Sequence, residues 1–197
     1  VLVPMWQRVG EGEKVEISAF AAISDDGGAT WHHSLPVPHG RGDGRAWHNI
    51  SEAALVELSD GRLMMNGRNA NGPVPFHRKL SFSTDAGESW SACVEEKQLP
   101  EPQCQASLIR IRDGNSTALF FANPDSQDGR KNGTIRLSRD EGKTWAASRV
   151  LVPGVFRYNC LAQLADGTLL CLFEQGPTKK PTMTLARFPV KWLVERE

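Results

Sequence analysis

One eight-residue phrase, Ser-x-Asp-x-Gly-x-(Ser/Thr)-Trp, occurs three times in the chain. The copies are SDDGGATW from Ser24, STDAGESW from Ser83 and SRDEGKTW from Ser138. Each follows a short run in which apolar and polar residues alternate, which is the period of a half-buried β-strand. A single copy would be weak evidence, because Asp and Gly close together mark any turn. Three copies, spaced by 59 and 55 residues, predict a repeat architecture.

A second pattern interleaves with the first and consists of an apolar run, an Asp-Gly pair and another apolar run. The pairs begin at Asp60, Asp113 and Asp166, with an equal spacing of 53 residues. Asp-Gly is the turn chemistry of a two-residue type I′ hairpin, which we therefore expect at each pair. This hairpin and a second one that contains the repeated phrase make four strands in roughly 50 residues, the size of a propeller blade.

The composition agrees with an all-β chain, because helical periodicity is weak and 18 Gly and 12 Pro lie mainly between the apolar runs. We expect a β-propeller of which about three and a half blades are present. The expected parts are a partial blade in residues 1–35, complete blades in 48–95 and 102–150, and a last blade in 158–192. Since fewer than four blades close poorly, the chain is expected to be the C-terminal part of a larger propeller.

The charge balance and the cysteine count limit the binding partners and the disulfides that the chain is expected to have. With 23 basic and 23 acidic residues, nothing in the composition favours nucleic acid or an anionic membrane surface. No apolar run approaches the roughly 18 residues of a membrane helix. Four cysteines are too few for a disulfide framework. We expect Cys160 and Cys171 to be buried thiols on one face of a hairpin, while a disulfide between Cys93 and Cys104 stays open.

The repeated phrase resembles the Asp-box of the sialidases (neuraminidases), and the residues between its copies resemble that family from "VLVPMW" to "TMTLARF". The Asp-box also occurs in β-proteins without sialidase activity, so the segments between the boxes are the more specific part. The resemblance implies the C-terminal half of a six-bladed exo-α-sialidase propeller that acts on sialylated glycans. It implies no cofactor and no metal, and a secreted, periplasmic or lysosomal location.

Two arginines resemble parts of the family's carboxylate clamp. Sialic acid carries a carboxylate on its anomeric carbon, and the planar fork of arginine binds a carboxylate in a bidentate way. "RLMMNGRNA" resembles the segment of the family's second arginine, which implies Arg68. "FFANPDSQDGRKNGTIRLS" resembles the segment of the third, which implies Arg130. Glu174, in "LCLFEQG", resembles the residue that orients the first arginine.

Tyr158 is the only tyrosine in the chain and precedes an expected innermost strand. Sialidases are exceptional among glycosidases because their nucleophile is a tyrosine. A phenol, with a pKa of about 10, needs a base within hydrogen-bond reach. "HNISEAALVEL" resembles the segment that supplies it, which implies Glu52, while Glu57 lies nearer the turn. One hairpin separates Glu52 from Arg68, so we expect both at the same end of their blade.

Two parts of a sialidase site are not found in the sequence: the Arg-Ile-Pro type motif with the first arginine, and the aspartate that acts as acid and base. Asp43 lies in a Gly-rich loop and does not match the family position of that aspartate. We therefore expect this chain alone to be inactive. The alternatives are a non-catalytic propeller that binds carbohydrate or acts as a scaffold, for which Asp-boxes serve folding only, and a trans-sialidase.

Overall fold

The computed structural model describes residues 1–10, 16–38, 50–70, 74–113 and 116–195. Within these ranges the chain forms fourteen β-strands and one short helix, α1 (Val190–Val194). The strands are β1 (Leu2–Val9), β2 (Glu16–Ile23), β3 (His32–His33), β4 (Ile50–Glu57), β5 (Leu63–Asn69), β6 (His77–Ser83), β7 (Val94–Pro100), β8 (Ser107–Asp113), β9 (Ser116–Pro124), β10 (Lys131–Ser138), β11 (Ala147–Val155), β12 (Asn159–Gln163), β13 (Leu169–Gln175) and β14 (Thr182–Phe188).

The strands form four antiparallel sheets in which neighbours along the chain are neighbours in the sheet. Their orders are β1-β2-β3, β4-β5-β6-β7, β8-β9-β10-β11 and β12-β13-β14. The predicted all-β class is therefore confirmed. By its contacts the chain divides into two compact units, Val1–Lys97 and Gln98–Glu197. None of the described helices has the length and apolarity that a membrane crossing needs.

The core of the first unit lies between its two sheets. Alternation along β2 places Ala19, Ala21 and Ile23 on one face, and all three are buried. They belong to one apolar cluster with Met65 of β5 and Trp90. Small residues on β2 therefore let the two sheets pack closely.

The core of the second unit is built mainly from aromatic and branched side chains. Along β13, Leu169, Cys171 and Phe173 point to the buried face and are at most 1% exposed. The ring of Phe173 packs against Phe156, with 4.8 Å between centroids. The alternate residue Leu172 points the other way and is 42% exposed. One face of β13 thus belongs to the core, and the other is open to solvent within this unit.

The three Asp-boxes have one hydrogen-bond pattern and connect the last two strands of a sheet. In the third copy, Ser138 Oγ donates to Asp140 Oδ1 (2.8 Å), and the backbone N–H of Gly142 donates to Ser138 Oγ (2.8 Å). Thr144 donates its backbone N–H to Asp140 Oδ1 (2.8 Å) and its hydroxyl to Asp140 Oδ2 (2.6 Å). The other two copies make the same bonds. The phrase therefore closes a turn, as predicted.

These bonds favour the ionised form of the Asp-box carboxyls. The hydroxyl and backbone N–H of Ser89 lower the pKa of Asp85 from 3.8 to about 2. Thr144 lowers the pKa of Asp140 to about 2 in the same way. The pKa of Asp26 is lowered as well, again chiefly by the threonine four residues further along the chain.

The tryptophans of the Asp-boxes are not equivalent. Trp90 is buried, and its indole Nε1 donates to Ser34 Oγ (3.1 Å). Trp145 packs on Phe121, with 5.6 Å between ring centroids. Trp31 is 47% exposed, so the tryptophan of the first copy does not belong to the buried core of its unit.

The Asp-Gly turns are longer than predicted. Leu58 and Arg62 close the first turn, because Leu58 N–H donates to the Arg62 carbonyl (2.7 Å). Gly61 N–H donates to the Leu58 carbonyl, and Gly61 has a φ of +81°. The turn over residues 164–168 has the same bonds, with Gly167 at +85°. Both are three-residue loops in which glycine takes the left-handed position, so the predicted two-residue type I′ turns are wrong here.

This extra loop residue changes the faces of the two flanking cysteines. Cys160 pairs with Leu172 and Leu161 with Cys171, one position away from the register of a two-residue turn. A slip of one residue moves a side chain to the other face of a sheet. Cys171 is therefore buried, as predicted, but Cys160 is exposed. All four cysteines are free, so the disulfide left open above does not form. Residues 114–115, in the remaining predicted turn, lie outside the described ranges.

Candidate active site

In the first unit, Glu52 and Arg68 form an ion pair. Glu52 lies near the start of β4 and Arg68 near the end of β5, and Arg68 Nη1 donates to Glu52 Oε2 at 3.0 Å. Their side chains are only 19% and 26% exposed, respectively. The β4–β5 hairpin brings them together, since Ala53 pairs with Gly67 next to them. The predicted position of both residues at one end of the sheet is therefore observed.

A glycine beside the pair permits close packing. A Cβ atom on Gly67 would lie 2.0 Å from Ile50 Cγ2 and 3.2 Å from Ile50 Cβ. The first distance is shorter than real Cβ contacts and the second is tighter than most of them, so any larger residue would displace Ile50 or the end of β5. Because Arg68 directly follows Gly67, this packing also fixes the direction in which the arginine leaves the strand.

A second, fully buried arginine lies in the same sheet. Arg78 of β6 is 0% exposed and donates from Nε to Asn66 Oδ1 (2.7 Å) and from Nη2 to the Asn66 carbonyl (3.1 Å). A buried guanidinium must be hydrogen-bonded, and Asn66 is therefore a structural acceptor. Asn66 and Arg68 are two residues apart on β5 and share a face. Sequence reasoning missed Arg78, because in the sequence it is only an arginine inside a strand-like run.

In the second unit, Tyr158 lies directly before β12 and opposite Glu174 of β13. The backbone N–H of Glu174 donates to the Tyr158 carbonyl (3.0 Å), and the N–H of Arg157 donates to the Glu174 carbonyl (3.0 Å). Tyr158 is thus held as an extension of the β12–β13 hairpin. Its predicted position before the first strand of its sheet is observed.

The side chain of Arg130 lies over the ring of Tyr158. Arg130 directly precedes β10, and its Cζ is 5.5 Å from the centroid of the Tyr158 ring, within the range of a cation–π contact. Its Nη2 donates to the Gln103 carbonyl (3.1 Å), and its own carbonyl accepts from Phe156 N–H (3.1 Å). The structure thus brings together a permanent positive charge and a phenol that lie 28 residues apart in the sequence.

Tyr158 and Glu174 also line a common surface cavity of about 340 Å³. Its other walls include Gln105, Cys160 and Leu172, so it combines polar groups with an apolar side. Such a cavity has the size and mixed lining of a small-molecule site. Sequence reasoning missed Gln105, because its position in this cavity depends on contacts across two sheets.

The predicted site residues therefore form two groups, each described within its own compact unit: Glu52 with Arg68, and Tyr158 with Arg130 and Glu174. Asp43 lies outside the described residues. In the part of the chain that the structure describes, no group of three or more His, Cys, Asp or Glu side chains is arranged to hold a metal ion.

Comparison with known proteins identifies the family of the chain. A model of the BNR repeat-like domain matches residues 1–171. The chain belongs to the BNR repeat-like domain family. A sialidase of Micromonospora viridifaciens is 36% identical over 181 residues, which are 89% of this chain and 26% of that protein. A sialidase of Bacteroides fragilis is 32% identical over 162 residues, 78% of this chain and 27% of that protein.

A solved sialidase structure is also similar to this chain in its fold. The Hadza microbial sialidase Hz136 superposes with a TM-score of 0.71 at 28% identity, over 90% of this chain and 33% of its own. The resemblance to BNR-repeat sialidases and the predicted β-propeller fold class are therefore confirmed. The chain spans only about a quarter to a third of the length of these relatives.

Proposed function

We propose that the protein containing this chain is an exo-α-sialidase, a glycoside hydrolase that removes terminal sialic acid from glycoconjugates. The chain then forms the C-terminal part of its catalytic propeller, with the blade boundaries predicted above, and the N-terminal half of the propeller is its partner. The observation that carries the proposal is the guanidinium of Arg130 over the ring of Tyr158. This contact places a guanidinium, which is suited to binding a carboxylate, beside the only phenol in the chain.

The proposed reaction has two displacements and retains configuration at the anomeric carbon. In the first, Tyr158 Oη attacks that carbon and its proton passes to Glu52. The bond to the aglycone oxygen breaks, and this oxygen takes a proton from an acid outside this chain. In the second, water attacks the same carbon and gives a proton to the conjugate base of that acid. The Tyr158 oxygen leaves and regains its proton from Glu52.

A tyrosine suits this substrate for an electrostatic reason. The anomeric carbon of sialic acid already bears a carboxylate, which would repel an anionic carboxylate nucleophile. A neutral phenol meets no such repulsion and needs only local activation by a base. Glu52 suits this role because its side chain is mostly buried and already oriented by Arg68.

Arg68 and Arg130 are proposed to bind the substrate carboxylate. Each guanidinium is oriented by a neighbouring acceptor, Arg68 by Glu52 and Arg130 by the Gln103 carbonyl. Such preorganisation lowers the conformational cost of binding. Glu174 is proposed to orient the first arginine of the clamp, which belongs to the N-terminal half.

The test is hydrolysis of a fluorogenic sialoside by this chain and by the chain extended with its natural flanking sequence. We expect no turnover by this chain, because the first arginine and the acid are missing, and turnover by the extended protein. Tyr158→Phe should lower kcat of the extended protein by about 100-fold or more. Arg149→Lys, far from Tyr158 in the fold of its unit, is the matched control and should keep full activity.

A folded extended protein that binds sialosides without cleaving them would support the non-catalytic propeller instead. Transfer of sialic acid to an added glycan, rather than to water, would indicate a trans-sialidase. Full activity of Tyr158→Phe would refute the assignment of the nucleophile.

A further inference from the structure

The peptide group between Tyr158 and Asn159 is held by a hydrogen bond on each side. Its carbonyl oxygen accepts from the backbone N–H of Glu174 at 3.0 Å. Its N–H, which belongs to Asn159, donates to Gln105 Oε1 at 2.9 Å. Because a peptide group is planar and rigid, these two bonds fix the orientation of the whole plane. This plane sets the direction in which the side chain of Tyr158 leaves the backbone.

The side chain of Gln105 lies where a neighbouring strand would normally pair with β12. β12 is the first strand of its sheet, and among the described strands none pairs with its other edge. The carboxamide of Gln105 fills this place with an acceptor and a donor, since its Nε2 also donates to the Asn159 carbonyl (3.0 Å). A carboxamide has the same two groups as a peptide, so one side chain substitutes for one residue of a strand.

The segment that carries Gln105 also orients Arg130. Two residues before Gln105, the carbonyl of Gln103 accepts from Arg130 Nη2. Gln103 has a φ of +52°, a left-handed conformation that a non-glycine residue keeps only when its surroundings hold it. Between them, Cys104 is 1% exposed and anchors the segment in the core. Three consecutive residues therefore hold both the backbone of Tyr158 and the guanidinium over its ring.

We propose that Gln105 is a positioning residue that sets the attack geometry of Tyr158. The proposal rests on the proposed function, in which Tyr158 is the nucleophile. Loss of the carboxamide leaves both backbone groups of Asn159 without these partners, and Asn159 is only 6% exposed. The peptide plane then turns, and a displacement of about 1 Å at a reacting atom costs about 10²-fold in rate.

The kinetic test compares Gln105→Met with Gln163→Met in the protein with its natural flanking sequence. Methionine has nearly the size of glutamine but lacks the carboxamide. Gln163 is the matched control, because its Nε2 also links β12 to the preceding sheet, through the Arg112 carbonyl (2.9 Å), at the end of β12 away from Tyr158. We expect Gln105→Met to lower kcat by about 10- to 100-fold with KM nearly unchanged. Gln163→Met should change neither.

A conservative variant separates positioning from folding. Gln105→Glu keeps an acceptor for the Asn159 N–H but loses the donor to its carbonyl, so it should recover part of kcat. It also replaces Gln105→Met in the test if the methionine variant does not fold. Equal kcat for the parent, Gln105→Met and Gln105→Glu would overturn the proposal.

A second measurement does not depend on catalysis. Tyr158 is the only tyrosine of the chain, so 3-fluorotyrosine gives one ¹⁹F signal within it, and in the protein with its flanking sequence the signal that Tyr158→Phe removes identifies Tyr158. We expect Gln105→Met to shift or broaden this signal and Gln163→Met to leave it unchanged. If the signal changes but the parent protein cleaves no sialoside, Gln105 positions Tyr158 and the sialidase proposal fails. If the Gln105→Met signal equals that of the parent, the positioning role is refuted whatever the activity.

Discussion

Replacement of Gly67 by alanine tests the packing that supports Glu52 and Arg68. The added Cβ would lie 2.0 Å from Ile50 Cγ2, whereas carbon atoms in contact lie about 3.5–4.0 Å apart. Ile50 is 2% exposed, so its side chain cannot turn away into solvent. Overpacking of this kind costs about 1–3 kcal/mol and more when backbone must move. We therefore expect a loss of about 3 kcal/mol in the free energy of unfolding.

The measurement is thermal unfolding, monitored by calorimetry. A loss of about 3 kcal/mol corresponds to a Tm lower by roughly 6–12 °C in a domain of this size. Gly154→Ala is the matched control, because a Cβ there meets nothing within 4 Å and its φ is not left-handed. It should leave Tm unchanged or raise it slightly, since alanine restricts the unfolded chain.

A double variant isolates the contact itself. Ile50→Ala removes the Cγ2 atom with which the new Cβ collides, although it also loses buried apolar area. Gly67→Ala combined with Ile50→Ala should therefore be less destabilised than the two single variants predict by addition, by about 1–3 kcal/mol. Simple addition of the two effects, or a Tm of Gly67→Ala no lower than that of Gly154→Ala, would show that residue 67 and Ile50 do not collide.

Two further predictions concern the turns and the end of the chain. Because the pKa of Asp85 and of Asp140 is about 2 in the fold and 3.8 ordinarily, their stabilisation is complete above about pH 4 and is lost as the pH falls towards 2. A variant with both residues changed to Asn should show a shallower fall of Tm over this pH range, and an unchanged slope would contradict this. Arg149 Nη1 donates to the Trp192 carbonyl (2.6 Å) and its Cζ lies 4.8 Å from the Trp192 ring, so Arg149→Ala should speed proteolysis near α1, whereas Arg139→Ala should not.

The repeats could be predicted from the sequence because their interactions are local. In each Asp-box the serine, aspartate, glycine and hydroxyl residue lie within six positions of one another, so the motif specifies its own turn. The position of Glu52 and Arg68 at one end of their sheet was also predictable, since one hairpin joins the two strands, whereas their ion pair was not predicted. The faces of Cys160 and Cys171 were not, because one extra residue in a loop reverses them, and Asp-Gly is compatible with both loop lengths.

The contacts around Tyr158 depend on distant parts of the chain. Arg130 and Tyr158 belong to different sheets of the second unit, and Gln105 reaches Asn159 across 54 positions. No periodicity in the sequence encodes such a pairing. The resemblance to sialidases indicated Arg130 and Tyr158 one at a time, but it gave no reason to consider Gln103, whose role lies in its backbone carbonyl and left-handed conformation.

In the two four-stranded sheets, the turns that stabilise the fold and the residues proposed for chemistry lie at opposite ends. The first strand runs away from the candidate site, the Asp-Gly loop turns the chain, and the second strand returns to the site end. The third strand runs away again, so the Asp-box lies at the same end as the Asp-Gly loop. Glu52 near the start of β4, Arg68 near the end of β5 and Arg130 before β10 all lie at the other end of their sheets. Substitutions in the Asp-boxes should therefore change stability while leaving kcat of the remaining folded protein intact, whereas substitutions of the side chains proposed to act on the substrate should lower kcat.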